Sequence, residues 1–297
     1  MGPLFVTLFQ TRSDAALDAQ AVLDQIREDW GERLAEEFDE IGARTLTGDL
    51  GPGLSPDARV LSFAFDEMRI MVAPAQTQYD LDLDVEAAAS VSPFWDSRRD
   101  LPDVNGPSLM VMAVPDATDD DDLEAYLLDE ERDVVEEAMW VSNVTASLVA
   151  CTDSVSAVYL PTSEQIAAPD RYREAALDVA PDLPLTMWVD FLVSEEAGVV
   201  TGETLGMSDL GLIDIEIDEC ELPGEDVVKV LVDAAVVLYD DGLVIGDGDV
   251  VESDVGNFTA SIAASKYDPE QPVLRLSPVV AANRAQRRAA ARKRGRR

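Results

Sequence analysis

The 297-residue chain contains no histidine. This absence removes the usual general base near neutral pH, the commonest metal ligand, and every Ser-His or Cys-His nucleophile pair. Cysteine is also scarce, since only Cys151 and Cys220 are present and no CxxC motif occurs. We expect two buried thiols, with a single disulfide or a reactive thiol as the alternatives. The sequence identifies no catalytic residue and predicts no cofactor; it leaves open whether the protein is an enzyme and favours a non-enzymatic role.

Basic residues are few outside the C-terminus. Residues 284–297 hold eight of the 22 Lys and Arg and no acid, so the rest of the chain keeps 14 cations against 60 acids, a formal charge of −46. Such a body repels phosphate backbones and anionic lipids, and any nucleic-acid contact must come through the basic tail. The cations of this tail are Arg284, Arg287, Arg288, Arg292, Lys293, Arg294, Arg296 and Arg297.

Long apolar runs are absent too. The longest candidate, residues 227–239, is interrupted by Lys229 and Asp233, and no run of about 18 apolar residues exists. The apolar start of the chain lacks the basic segment of a secretory leader and reaches Arg12 and Asp14 early. We therefore expect a soluble, cytoplasmic, acidic protein without a membrane association.

The chain has enough apolar material to fold, because 47% of its residues are hydrophobic. The sequence predicts, among other elements, a hairpin of residues 59–65 and 69–72, a strand over residues 185–193 and a helix from about Glu225 to Tyr239. Strands and amphipathic helices alternate without a regular βαβ repeat. This pattern predicts an α+β fold with a mixed, largely antiparallel sheet and packed helices. We expect a globular body over residues 1–280, with two similar α+β halves, 1–160 and 161–280, as one arrangement. Residues 281–297 form a basic tail, whose composition predicts disorder when it is free.

Acids and isoleucines alternate in residues 214–218, which favours a strand. Asp214, Glu216 and Asp218 then share one face, and Ile215 and Ile217 share the other. Three carboxylates at this spacing are candidates to hold Mg²⁺ or Ca²⁺. The same alternation is typical of a half-buried strand with a solvated acidic face, and that interpretation is preferred here, so no metal is assigned.

The preceding segment, residues 201–211, contains three glycines. Gly202, Gly206 and Gly211 are expected at turns that need positive φ, because neither a P-loop ending nor GxGxxG is present. The Asp247-Gly248-Asp249 segment contains the acids and glycine of a calcium loop but lacks EF-hand spacing. It is interpreted as a tight turn.

One set of residues in the last third of the chain carries a family resemblance: Trp188, Thr204, Gly206, Gly211, Glu216, Asp247, Gly248 and Asp249. On these positions, residues 188–249 resemble the bacterial domain of unknown function family 4261. The resemblance implies an α+β fold and no defined reaction, and it extends more loosely to the upstream strands.

Three functions remain open from the sequence. The first is a protein-binding module, immunity-like or inhibitor-like, whose acidic surface binds a basic protein. The second is a metal-assisted hydrolase built on Asp214, Glu216, Asp218, Asp247 and Asp249. The third is a nucleic-acid accessory protein tethered through its tail. Four roles remain open for the tail itself: it increases solubility, contacts the acidic body of its own chain, tethers a nucleic acid or binds a protein partner.

Overall fold

A computed structural model describes residues 4–31, 42–47, 58–65, 68–75, 84–115, 132–180, 182–240 and 245–279. The chain divides into two compact units. The N-terminal unit comprises Met1–Asp190 with Asp209–Gly211, and the C-terminal unit comprises Phe191–Ser208 with Leu212–Arg297. This division falls later than residue 160. The strand of residues 165–167 pairs with the strand of residues 155–160, and the helix of residues 169–179 packs against the helix of residues 134–151, so both belong to the N-terminal unit.

The N-terminal unit is built on a seven-stranded sheet in which every strand pair is antiparallel. The strand order is β2-β3-β4-β5-β1-β6-β7. Its strands are β1 (Phe5–Gln10), β2 (Gly42–Thr47), β3 (Arg59–Phe65), β4 (Met68–Pro74), β5 (Ser108–Pro115), β6 (Val155–Leu160) and β7 (Gln165–Ala167). β3 and β4 form the antiparallel pair expected from their sequence, which confirms that prediction.

Helices cover both faces of this sheet. Its described helices are α1 (Ala19–Trp30), α2 (Val85–Val91), α3 (Val134–Cys151), α4 (Pro169–Val179) and α5 (Leu185–Trp188). The helix α3 is buried along most of its length and packs against α1, α4 and the central strands. On the opposite face, α2 forms a separate apolar cluster with Phe9, Tyr159 and Ile166.

A partly buried ion pair links three of these helices. Arg173 of α4 donates two hydrogen bonds of 2.7 Å to Asp29 of α1, and Ser147 of α3 donates a third of 2.8 Å. Burial alone raises the pKa of Asp29, but these hydrogen bonds outweigh it and keep the pKa below its ordinary value. The ionised carboxylate therefore joins α1, α3 and α4.

The C-terminal unit is built on a six-stranded sheet of order β11-β12-β13-β10-β9-β8. Its elements are β8 (Asp190–Glu196), β9 (Val199–Leu205), β10 (Asp214–Cys220), α6 (Gly224–Asp240), β11 (Val250–Ser253), β12 (Gly256–Ala264) and β13 (Pro272–Pro278). Ala197 and Gly198 both have positive φ, which suits the tight turn between β8 and β9. β10 and β13 run parallel, whereas β12 is antiparallel to both its neighbours.

The helix α6 packs on one face of this sheet. Val227, Val230, Leu231 and Leu238 recur at helical spacing and are buried, and the helix contacts β9, β10 and β11. The helix predicted from about Glu225 to Tyr239 is therefore confirmed. The opposite sheet face carries the polar side chains of β10 and β13.

The α+β prediction is confirmed, with two largely antiparallel sheets instead of one. The strand predicted over residues 185–193 was wrong in its first half. Residues 185–188 form the short helix α5 after Pro184, and the strand begins only at Asp190. Among the described residues, no helix combines the length and apolarity needed to cross a bilayer.

Gly202 lies within β9 beneath α6, so its predicted place in a turn was wrong. A Cβ at this position meets Val227 Cγ1 at 2.6 Å and Leu231 Cδ1 at 3.0 Å. The helix can approach the sheet only because the side chain is absent.

We predict that Gly202→Ala lowers the free energy of unfolding by about 1–3 kcal/mol, because the methyl group forces α6 away from β9. Urea denaturation measures the loss. The control is Gly42→Ala in β2, where the nearest heavy atom is 3.8 Å from the added Cβ. An equal loss in both variants would contradict the close packing of α6.

Candidate functional site

The acids of β10 lie on the sheet face opposite α6, as their alternation predicts. Ile215 and Ile217 are buried on the other face. The preferred expectation of a solvated acidic face was wrong for two of the three acids, since Asp214 is 5% exposed and Glu216 3% exposed. These carboxylates stay in the interior because polar groups from β9, β13 and the β12–β13 loop surround them.

Asp214 organises the chain between β9 and β10. Its carboxylate accepts hydrogen bonds from the Thr204 hydroxyl (3.0 Å), the backbone amides of Met207 (3.2 Å) and Ser208 (3.3 Å), and Gln271 Nε2 (2.9 Å). The Thr204 hydroxyl also accepts from the Ile215 amide at 2.8 Å. Gly206 and Gly211 in this connection have the positive φ that the sequence predicted. Thr204, Gly206 and Asp214 thus act together as a turn-stabilising network.

Glu216 and Asp218 are neutralised by cations of the same unit. Arg275, directly opposite Glu216 on β13, donates to it from Nη2 at 2.8 Å. The backbone amide of Lys266 donates to the other oxygen of Glu216 at 2.9 Å. Asp218 accepts from Ser277 at 2.6 Å and lies 3.1 Å from Lys266 Nζ. Arg275 and Lys266 are therefore both paired with carboxylates of the same sheet.

Burial alone raises the pKa of Glu216, but hydrogen bonds from Arg275, Ser265 and the Lys266 amide outweigh it and lower the pKa. Asp218 behaves in the same way, with burial opposed by Ser277 and Lys266, and its pKa is also lowered. The ionised forms therefore stabilise the fold at neutral pH. This stabilisation is lost as the pH falls through the lowered pKa values.

A fourth acid, Glu203, joins this group and was not predicted from the sequence. It is half-buried on β9 and lies directly opposite Glu216 in the antiparallel register. Burial and the neighbouring Glu216 charge raise the pKa of Glu203 above its ordinary value. The alternation along β9 indicates its sheet face, but only the β9–β10 register reveals the acid it faces.

The remaining family-motif acids lie elsewhere in the unit. Asp249 accepts from the Gly246 amide at 2.8 Å, and Gly248 has a φ of 89°, so the segment forms the expected tight turn before β11. Asp247 is exposed. Since β12 and β13 separate β11 from β10, the turn is about 14 Å from the β10 acids at ordinary strand spacing.

The five candidate acids of the hydrolase hypothesis therefore do not converge. Asp214, Glu216 and Asp218 form one row on β10, and Asp247 and Asp249 lie in the turn before β11. Among the described residues, no group of three or more acids or cysteines is arranged to hold a metal ion.

Trp188 belongs to the N-terminal unit. It is completely buried and donates from Nε1 to the Ser142 hydroxyl of α3 at 2.7 Å. This tryptophan therefore belongs to the core of the unit. Cys151 and Cys220 are free thiols, half-buried and buried respectively.

Exposed glutamates gather at one end of the C-terminal unit. Cys220 at the end of β10 lies opposite Val200 at the start of β9, next to the β8–β9 turn. The first turn of α6 joins them, because a Cβ on Gly224 comes within 3.3 Å of Val193 on β8. We call this surface the acidic end; its exposed members are Glu195, Glu196, Glu219, Glu221 and Glu225.

No ion pair among the described residues involves these five glutamates. Only three cations occur between residues 191 and 279, and each is paired with another acid: Lys229 with Asp226, Lys266 with Asp218, and Arg275 with Glu216. The acidic end therefore carries uncompensated negative charge. The tail cations, from Arg284 to Arg297, lie outside the described residues.

No protein-family model matches the chain, and comparison with curated proteins and with solved structures gives no match. The resemblance to family 4261 therefore stays a prediction, and the geometry of the two units provides the basis for a functional proposal.

We predict that Asp214→Ala lowers the free energy of unfolding by about 3 kcal/mol, because it leaves several buried donors without an acceptor. Thermal and urea denaturation measure this loss. The matched control is Asp247→Ala, an exposed acid of the same motif, which is expected to change stability by no more than about 0.5 kcal/mol. A similar effect of both substitutions would contradict the structural role of Asp214.

We predict that Glu203→Gln stabilises the protein increasingly as the pH rises. The raised pKa means that ionisation of Glu203 costs more in the folded than in the unfolded chain. This cost is absent well below the ordinary pKa of 4.5 and is complete above the raised value. Urea denaturation across this range measures it.

The control for this pH series is Glu219→Gln, at an exposed position on β10. We expect no comparable gain with rising pH for this variant. If Glu203→Gln instead gave its largest gain below pH 4.5, the assigned direction of the Glu203 pKa would be incorrect.

Proposed function

We propose that the chain is a cytoplasmic, non-enzymatic protein-binding module of the immunity-like or inhibitor-like class, whose acidic end binds a basic protein. The observation that supports it most strongly is the distribution of charge in the C-terminal unit. Two of the three cations of residues 191–279 pair with acids of β10, and the third, Lys229, pairs with Asp226. The five glutamates of the acidic end have no ion-pair partner among the described residues.

The internal neutralisation of β10 also favours binding over catalysis. Asp214, Glu216 and Asp218 already accept hydrogen bonds from protein groups, and two strands separate them from β11, beside which the other candidate acids lie. A hydrolase based on these acids needs them to share one substrate. The geometry gives this alternative less support than the binding role.

The expected partner presents Arg or Lys side chains to the acidic end. Uncompensated charges of one sign accelerate encounters with a protein of opposite charge, and this steering weakens as salt screens it. We also propose, from the resemblance of residues 188–249, that the chain belongs to the bacterial family 4261; this assignment is consistent with a binding role and adds no reaction to it.

We expect the full chain, used as bait in an extract of its source cells, to retain a basic protein at about 50 mM salt and to release it at about 500 mM. The retained protein is then purified and its affinity measured by calorimetry at both salt concentrations. Neutralising the acidic end should weaken binding at least about tenfold at the lower salt. The neutralised variant carries Glu195→Gln, Glu196→Gln, Glu219→Gln, Glu221→Gln and Glu225→Gln.

A matched control removes five exposed acids from other surfaces and should bind within about twofold of the unmodified chain. It carries Asp100→Asn, Asp182→Asn, Asp247→Asn, Asp254→Asn and Glu270→Gln. Failure to retain any basic protein, or equal weakening in both variants, would overturn the proposal.

A further inference from the structure

A groove runs between α6 and β11 in the C-terminal unit. Its volume is about 430 Å³, and its lining is largely apolar, with Val230, Ala234 and Val237 from α6 facing Val250 and Val251 from β11. Val250 is 54% exposed, which is high for a valine beside a packed helix. The groove therefore offers apolar surface that the described residues leave partly open to solvent.

The rim of the groove is acidic. Asp233 of α6, Asp249 before β11 and Glu252 of β11 line it and are exposed, and no cation is among its lining residues. Asp233 and Glu252 have no ion pair among the described residues. A ligand for this groove must combine small apolar groups with positive charge.

β11 is also the terminal strand of its sheet. It pairs with β12 on one side only, so the backbone groups on its outer edge lie outside the described ladder. Such an edge accepts an added segment through main-chain hydrogen bonds. The edge and the apolar groove lie side by side.

β13 is the last strand before the C-terminal tail, and it ends near the groove. The Val279 amide donates to the Asn257 carbonyl at 2.8 Å, beside the turn between β11 and β12. Pro278 lies opposite Phe258, which in turn lies opposite Val251 of β11. The tail therefore departs two strands from the groove, a separation of about 10 Å.

The tail has the composition that the groove requires. Residues 280–297 consist mainly of alanine and of the eight cations, with no acid. Eighteen residues reach up to about 60 Å when extended, several times the separation. A segment tethered so close acts at an effective concentration in the millimolar range.

We propose that residues 280–297 bind in the groove between α6 and β11 of their own chain, with their arginines paired to the acidic rim. This inference concerns a different surface from the acidic end and stands whether or not a foreign basic partner exists. The tail then covers the apolar groove and the free edge of β11, and it withdraws eight cations from contact with nucleic acid.

The test uses purified full-length protein and hydrogen exchange of the peptides that cover residues 230–240 and 245–253. We expect the exchange of the β11 amides to rise at least about fivefold when all eight tail cations are replaced by glutamine. The unmodified chain should show the same rise when salt increases from about 50 to about 500 mM, which needs no substitution.

Two charge-reversal variants locate the contact. Asp233→Lys with Glu252→Lys should increase exchange as much as the neutralised tail does. The control, Asp100→Lys with Asp182→Lys, makes the same change in net charge at exposed positions of the N-terminal unit and should leave β11 protected. Thermal denaturation verifies that both variants fold, as expected for exposed positions.

Three results would overturn the inference. The first is equal exchange of β11 with the native and the neutralised tail. The second is deprotection of β11 by the control pair but not by the rim pair. The third is protection that grows with protein concentration, which would place the tail of a second copy in the groove. None of these results depends on a foreign partner, so each is distinguishable from failure of the proposed function.

Discussion

The neutralisation of buried carboxylates on β10 is the constraint on which the C-terminal unit depends. Asp214 and Glu216 leave water only because Thr204, Gln271, backbone amides and Arg275 replace their hydration. These partners come from β9, β13 and the loop after β12. These hydrogen bonds and ion pairs therefore join β10 to both neighbouring strands, and a buried acid without them would oppose folding.

The same constraint shapes the surface. A unit with three cations between residues 191 and 279 uses each of them in an ion pair, and two of the three neutralise the β10 row. The glutamates of the acidic end and the rim of the α6–β11 groove consequently retain their negative charge. Binding of cations from outside, or from the chain's own tail, is the chemistry that this distribution favours.

The sequence predicts much of the fold because its signals there are local. Alternation separates Asp214 and Glu216 from Ile215 and Ile217, and helical spacing predicts α6 within a residue or so at each end. The short helix at residues 185–188 was missed because its apolar residues have no distinguishing period over so few positions.

The chemistry of the candidate site was less predictable because its partners are distant in the chain. Arg275 reaches Glu216 only through the parallel pairing of β10 with β13, and Glu203 faces Glu216 only through the β9–β10 register. Gly202 was misassigned for a similar reason, since nothing near it in the sequence indicates the helix above it. Long-range register therefore determines what each of these residues does.

The most direct measurement is a carboxyl ¹³C NMR titration of Glu203, Glu216 and Asp218 in the full chain, with and without millimolar Mg²⁺. We expect pKa values below the ordinary range for Glu216 and Asp218 and above it for Glu203, and we expect Mg²⁺ to leave the three carboxyl resonances unmoved. Ordinary or raised pKa values for Glu216 and Asp218, or resonances that move with Mg²⁺, would contradict the claim that the protein's own groups neutralise these acids.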